Sequence, residues 1–247
     1  MYYSSLWKGF LLSLFFLYIL FYSAKSSYAV SFFYPMDKYN ERQSVKGFGQ
    51  FIDDQFYKGK ENLFPYNRFY GYHAGVDLET FADEKSKPIP VFAISSGTIT
   101  YVGSLSGYGG VILLKLDGEN VTALYGHVKI KDLQFKIGAH IDINDSPIVI
   151  TYLGDEFSSE TSGERKHLHF AIHKGTDLYF HGHETSPSIL DKKWYDPTVF
   201  LQNKNAKEPF KNAQPTPTKY ISKQIKTNKK NTNVLNAFFE WLKTFLL

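Results

Sequence analysis

Between residues 90 and 172 the chain repeats one pattern: a run rich in β-branched and aromatic residues, then a turn. The runs fall at 90–94, 97–102, 111–116, 121–125, 148–153 and 168–172, and each has the length and composition of a strand. Ser95-Ser96-Gly97, Gly107-Tyr108-Gly109-Gly110 and Asp117-Gly118-Glu119-Asn120 separate them. Asp-Gly between two apolar runs is a strong hairpin signal. No long amphipathic pattern precedes residue 230, so the expectation is mainly β: a single antiparallel β-sandwich or open-barrel domain. There are no cysteines, so no disulfide can staple that domain and no thiol can act as a nucleophile.

The ends read differently from the body. Lys8 precedes an apolar run at residues 9–22, and Ser27 and Ala29 occupy the small-residue positions of a cleavage site. Residues 1–29 therefore read as a signal peptide, because fourteen apolar residues fall short of the roughly 20 a spanning helix needs. Export to the periplasm or cell envelope follows, with membrane association or secretion as variants of it. Residues 30–70 lack sustained periodicity and read as an extended segment packing on the domain. Residues 203–232 are Asn-, Lys-, Thr- and Pro-rich and read as a disordered linker. Leu235, Phe238, Phe239, Leu242, Phe245 and Leu246 recur at helical spacing, which predicts a short amphipathic helix over 233–247.

Charge divides along the same lines. The net charge is +4, but residues 203–247 alone hold nine Lys and two Glu. The body is mildly acidic and the tail strongly basic, which suits an anionic surface such as a wall polymer or lipid headgroups. Residues 203–247 would thus touch a membrane surface or a protein partner; export argues against nucleic acid.

Four histidines and one aspartate carry the chemistry. His73 and Asp77 are four apart around Gly75, His127 follows Tyr125-Gly126, and His167 and His169 flank Leu168. Side chains two apart on a strand share a face, so His167 and His169 project together. One can bind metal while the other reaches a substrate. A turn at Ala74-Gly75 would bring His73 and Asp77 together. That inventory is the one a catalytic zinc site needs: three protein ligands, with a fourth position left to water. His173 has the same parity but reads as a rim residue near the strand end, and His181-Gly182-His183 as a solvated loop pair. G-x-S-x-G, H-E-x-x-H and Walker patterns are absent from the sequence, which removes those enzyme classes.

The phrases around these residues resemble the lysostaphin-like zinc endopeptidases of bacterial cell walls, over about residues 71–201. His73-Ala74-Gly75-Val76-Asp77, Pro90-Val91-Phe92-Ala93 leading to Gly97-Thr98-Ile99, Gly107-Tyr108-Gly109, Tyr125-Gly126-His127 and His167-Leu168-His169-Phe170 stand in the family's order. Asp196-Pro197 with Phe200-Leu201 close behind completes the match. The resemblance implies a zinc peptidase domain over 71–202, one zinc ion held by His73, Asp77 and His169, and His127 and His167 as the catalytic pair. It implies a peptidoglycan peptide as substrate. The alternative is a catalytically silent module of the same fold that binds the wall or activates a separate hydrolase. Two stretches depart from the family pattern: residues 154–166, which replace a glycine-rich approach, and the long segment 177–194. Both would line the groove.

Overall fold

Alternation along the chain decides which side of the sheet each residue faces. In a computed structural model describing residues 31–64, 68–131, 133 and 135–209, His167–Lys174 forms strand β10 of a twelve-strand, mainly antiparallel fold. The others are β1 (Phe51–Ile52), β2 (Gly71–His73), β3 (Val76–Glu79), β4 (Pro90–Phe92), β5 (Gly97–Leu105) and β6 (Gly109–Leu116). They are followed by β7 (Val121–Gly126), β8 (His140–Ile141), β9 (Val149–Tyr152), β11 (His183–Glu184) and β12 (Trp194–Tyr195). Three short α-helices, α1 (Asp54–Tyr57), α2 (Pro187–Lys193) and α3 (Pro197–Asn203), and three single-turn 3-10 helices lie among the described residues. The expected leader, most of the linker and the terminal helix lie outside the described residues. Among the described residues no helix is long and apolar enough to cross a membrane.

The main sheet runs β12-β10-β7-β6-β5-β8, with β3 beside β12 along the same edge of β10. Two small sheets, β1-β2-β11 and β4-β9, flank it, and the pairing closes no barrel among the described residues. The fold is thus mainly β, in the open form that the sequence pattern predicts.

On β10 the even residues Leu168, Phe170 and Ile172 enter the larger core, with Ile112 and Leu114 of β6 and Ala123 and Tyr125 of β7. Burying each large apolar side chain contributes roughly 1.5–3 kcal/mol. Tyr125 brings a hydroxyl into that core, and the Ile94 N–H donates to it at 3.0 Å. Val111, Leu113, Leu124 and Ala171 belong to a second core with Trp194, Leu190 and Tyr108. The odd histidines of β10 therefore sit on this second face.

The segment before β2 is structured beyond simple extension. Phe32, Phe33, Met36 and Tyr39 are part of the larger core. Asp53 caps α1 by accepting from the Phe56 N–H at 2.9 Å, and Phe56, Tyr57 and Phe64 form a third cluster. At the other end, Pro197 at the first turn and the Asp196 carboxylate accepting from the Thr198 N–H (2.9 Å) start α3. Past α3 the chain does not leave the body at residue 202: the Tyr34 N–H donates to the Lys207 carbonyl, and the Lys207 N–H to Phe32, each at 2.9 Å. Phe33 and Lys207 form a parallel bridge.

Candidate metal centre

β3 lies antiparallel to β10 in a register that pairs Asp77 with His169 and Glu79 with His167. Paired residues in a sheet share a face, so two acids oppose two imidazoles. β2 enters from the side through the Ala74-Gly75 bend, where the Ala74 N–H donates to the Gly182 carbonyl at 2.9 Å. Only glycine fits at 75: a Cβ there would lie 2.6 Å from the Phe170 carbonyl oxygen and 2.9 Å from the His169 ring. That close approach lets His73 reach the β3–β10 pair.

Three acceptor atoms converge as a result. His73 Nε2 is 3.0 Å from His169 Nδ1 and 3.3 Å from Asp77 Oδ1, and His169 Nδ1 is 3.0 Å from Asp77 Oδ1. The Gly47 carbonyl accepts from His73 Nδ1 at 3.2 Å, which commits that nitrogen's proton and turns the Nε2 lone pair inward. Three such atoms can share this space only around a proton or a cation. Ligands about 2.0–2.1 Å from a tetrahedral zinc ion stand roughly 3.3–3.4 Å apart, so little rearrangement would admit one. The all-nitrogen-and-oxygen donor set fits zinc.

The other two histidines stand beside this set. His127 follows β7 in a left-handed conformation, φ 61°, a strained backbone for a residue other than glycine. Its N–H donates to the Tyr108 carbonyl at 3.1 Å, and its carbonyl accepts from the Gly154 N–H at 2.8 Å, which hold that geometry. Its ring centroid is 4.3 Å from that of His167. His167 Nδ1 donates to the Arg165 carbonyl at 2.9 Å, leaving Nε2 as a bare acceptor 3.5 Å from Asp77 Oδ2. Burial pushes His127 down to about 3 and His167 well below the usual histidine value, the latter helped by Arg165, so both are neutral. Burial likewise lowers His169. Burial works to raise Asp77, but the neighbouring His73 and His167, with a hydrogen bond from His169, hold it well below the usual carboxylate range.

Three further charged side chains, none singled out from the sequence, complete the surroundings. Lys46 comes from the N-terminal segment, its ammonium 3.9 Å from Asp77 Oδ2 and 3.8 Å from Glu164 Oε2. Glu164 and Arg165 come from the loop before β10, in the stretch that departs from the family pattern. Glu164 could hold a cation together with His127 and His167. The adjacent Lys46 and the Arg165 guanidinium, 2.9 Å away, already neutralise it, so a second ion is disfavoured there. The one signal that could have found Arg165 is strand parity, since it lies two before His167 as His167 lies two before His169.

His73, Asp77, His127 and His169 floor an open groove of about 780 Å³. Its walls come from Lys46, Arg68 and Phe69, from the 106–108 turn, and from residues 179–185. The departing segments do line it, as expected. His183 pairs with His73 across β11–β2 and stacks on Phe69 at 4.6 Å, so it is part of a wall and not a solvated loop residue. Exposed His181 does have a carboxylate near it, Glu184, 3.9 Å away. His173 is not at the rim: it is buried against Tyr179 and Trp194, because β10 runs on to Lys174.

The three converging atoms at the floor of the groove, with two buried imidazoles beside them, could hold a metal ion. The model of peptidase family M23 matches residues 71–185, the segment that carries the five site residues. No curated protein matches the sequence. Among solved structures, the chain is similar to lysostaphin from Staphylococcus simulans, at 21% identity and a TM-score of 0.45, over 75% of this chain and 61% of that one. It is similar to LytU at 20% identity and a TM-score of 0.42, over 66% of this chain and 86% of that one. A chain of the SpoIIIAH–SpoIIQ complex gives 20% identity and 0.42, over 69% and 99%. The chain thus spans 61% of the length of the lysostaphin it matches.

Proposed function

We propose that this protein is an exported zinc-dependent endopeptidase that hydrolyses peptide bonds in peptidoglycan stems or cross-bridges. The observation that carries this reading is the convergence of His73 Nε2, Asp77 Oδ1 and His169 Nδ1 within 3.3 Å, on the floor of an open groove. Zinc bound by these three would polarise a scissile carbonyl and lower the pKa of a bound water towards about 7.

The chain's own residues supply the proton traffic. Neutral His167 offers Nε2 as an acceptor because its Nδ1 proton is committed to the Arg165 carbonyl. His127, also neutral and held by its strained backbone, has its ring 4.3 Å from that of His167, placed to receive the proton taken from the water and pass it on to the leaving amine. The open groove admits an extended peptide, and buried walls around both imidazoles exclude bulk water. The apolar leader supports export, and the basic residues of 203–247 support residence at an anionic envelope surface. The silent-module alternative finds no support in the site, where none of the five side chains is missing.

Purified protein loaded with zinc should release muropeptide fragments from isolated cell walls, as read by mass spectrometry, and His169→Ala should abolish the release. Protein that takes up no zinc and leaves walls unchanged would sink this reading.

A further inference from the structure

Asp77 has two carboxylate oxygens, and only Oδ1 faces His73 and His169. Lys46 and His167 stand near the other one, but its hydrogen bond comes from Arg165. Arg165 Nη2 donates to Asp77 Oδ2 at 3.2 Å, Nε reaches both oxygens of Glu79 at 3.0 Å, and Nη1 donates to Glu164 Oε2 at 2.9 Å. Nη2 also contacts Glu79 Oε1 at 2.6 Å, and the guanidinium lies over the Phe64 ring at 4.9 Å. Burial alone would lower Arg165, but Asp77 and Glu79 outweigh it and raise it, so the cation is permanent.

We propose that Arg165 is a positioning residue for the metal centre: its guanidinium orients Asp77 so that one oxygen is presented to the ion, and thereby sets how tightly the ion is held. This rests on the metal reading above. A planar fork can hold three carboxylates in fixed directions at once, which a point charge cannot. Lys46 makes that contrast within the site. At 3.9 Å from Asp77 it supplies charge but no directed hydrogen bond. Arg165 also acts through its main chain, whose carbonyl orients His167. Side-chain substitution removes the first role and leaves the second in place.

Arg165→Lys isolates orientation because it keeps the charge. Zinc dissociation constants are measured by competition with a chromophoric chelator at fixed pH, and the coordination geometry by the visible spectrum of the cobalt-substituted protein. Loss of a residue that orients a metal ligand typically weakens binding about 10–100-fold. That loss, with a changed cobalt spectrum, is expected for Arg165→Lys. Phe64→Leu, which removes the ring under the guanidinium without changing charge, should shift affinity in the same direction, and decides the matter if Arg165→Lys does not fold. Folded variants with the parent's zinc affinity and an identical cobalt spectrum would overturn the inference while leaving the metal reading intact. Failure of the parent protein to bind zinc at all would overturn both.

Discussion

At the scale of single residues, the centre divides its histidines by what each ring nitrogen already does. His73 spends Nδ1 on the Gly47 carbonyl and His167 spends Nδ1 on the Arg165 carbonyl, so each keeps one lone pair in a known direction. The first points at Asp77 Oδ1 and His169, the second at Asp77 Oδ2. This predicts a clean dissociation of two measurements. His127→Ala and His167→Ala should retain one zinc per chain by metal analysis while losing about 10²-fold or more of muropeptide release, the usual weight of a positioned proton-transfer group. His169→Ala should lose both zinc and activity. Metal loss in His127→Ala would place that residue among the ligands instead.

At the scale of elements, the β2–β3 bend is the joint on which the site depends. Gly75→Ala forces a Cβ to within 2.6 Å of the Phe170 carbonyl oxygen, which the backbone of β10 cannot give without moving. The expected outcome is a lowered melting temperature and a reduced zinc stoichiometry, read by calorimetry and metal analysis; parent-like values in both would show that the bend is not close-packed.

The same elements show what the sequence makes readable. Six strands, β4 to β7, β9 and β10, announce themselves by composition, His167 and His169 by parity, and His73 with Asp77 by the glycine between them. Strands of two residues, such as β1, β8, β11 and β12, are too short to leave a period, and β2 and β3 hide in a Tyr-rich stretch. Lys46, Glu164 and Arg165 escape for another reason. They arrive from irregular segments distant in sequence from Asp77, and a charged residue in a loop reads as solvated until the fold buries it.

At the scale of the whole molecule, the N-terminal segment is joined to the sheet by charge as well as by its aromatic core. Arg42, 6% exposed, donates to Asp37 Oδ1 at 2.8 Å and to Glu84 at 2.8 and 3.0 Å, and also to the Asp37 and Glu79 carbonyls. Burial works to raise Glu84, but the hydrogen bond from Arg42 and another from the Phe81 N–H leave it below its ordinary value of 4.5. A carboxylate depressed on folding contributes stability above its unfolded pKa and loses that contribution as pH falls through its folded value. The melting-temperature gap between the parent and Glu84→Gln should therefore be full near neutral pH and narrow steadily below about pH 4.5, the ordinary value for Glu84. A gap that stays constant from pH 7 to pH 3 would contradict this account of the clamp.

The bridge between Phe33 and Lys207 also has a mechanical side. The two segments run parallel, so tension applied to the two ends of the folded body pulls them in opposite directions along their common axis. The hydrogen bonds at 32–34 and 207 are then strained together in shear, not peeled one at a time. A load on the ends would be borne there first, and the strands that carry the histidines would feel it only once that clasp had slipped.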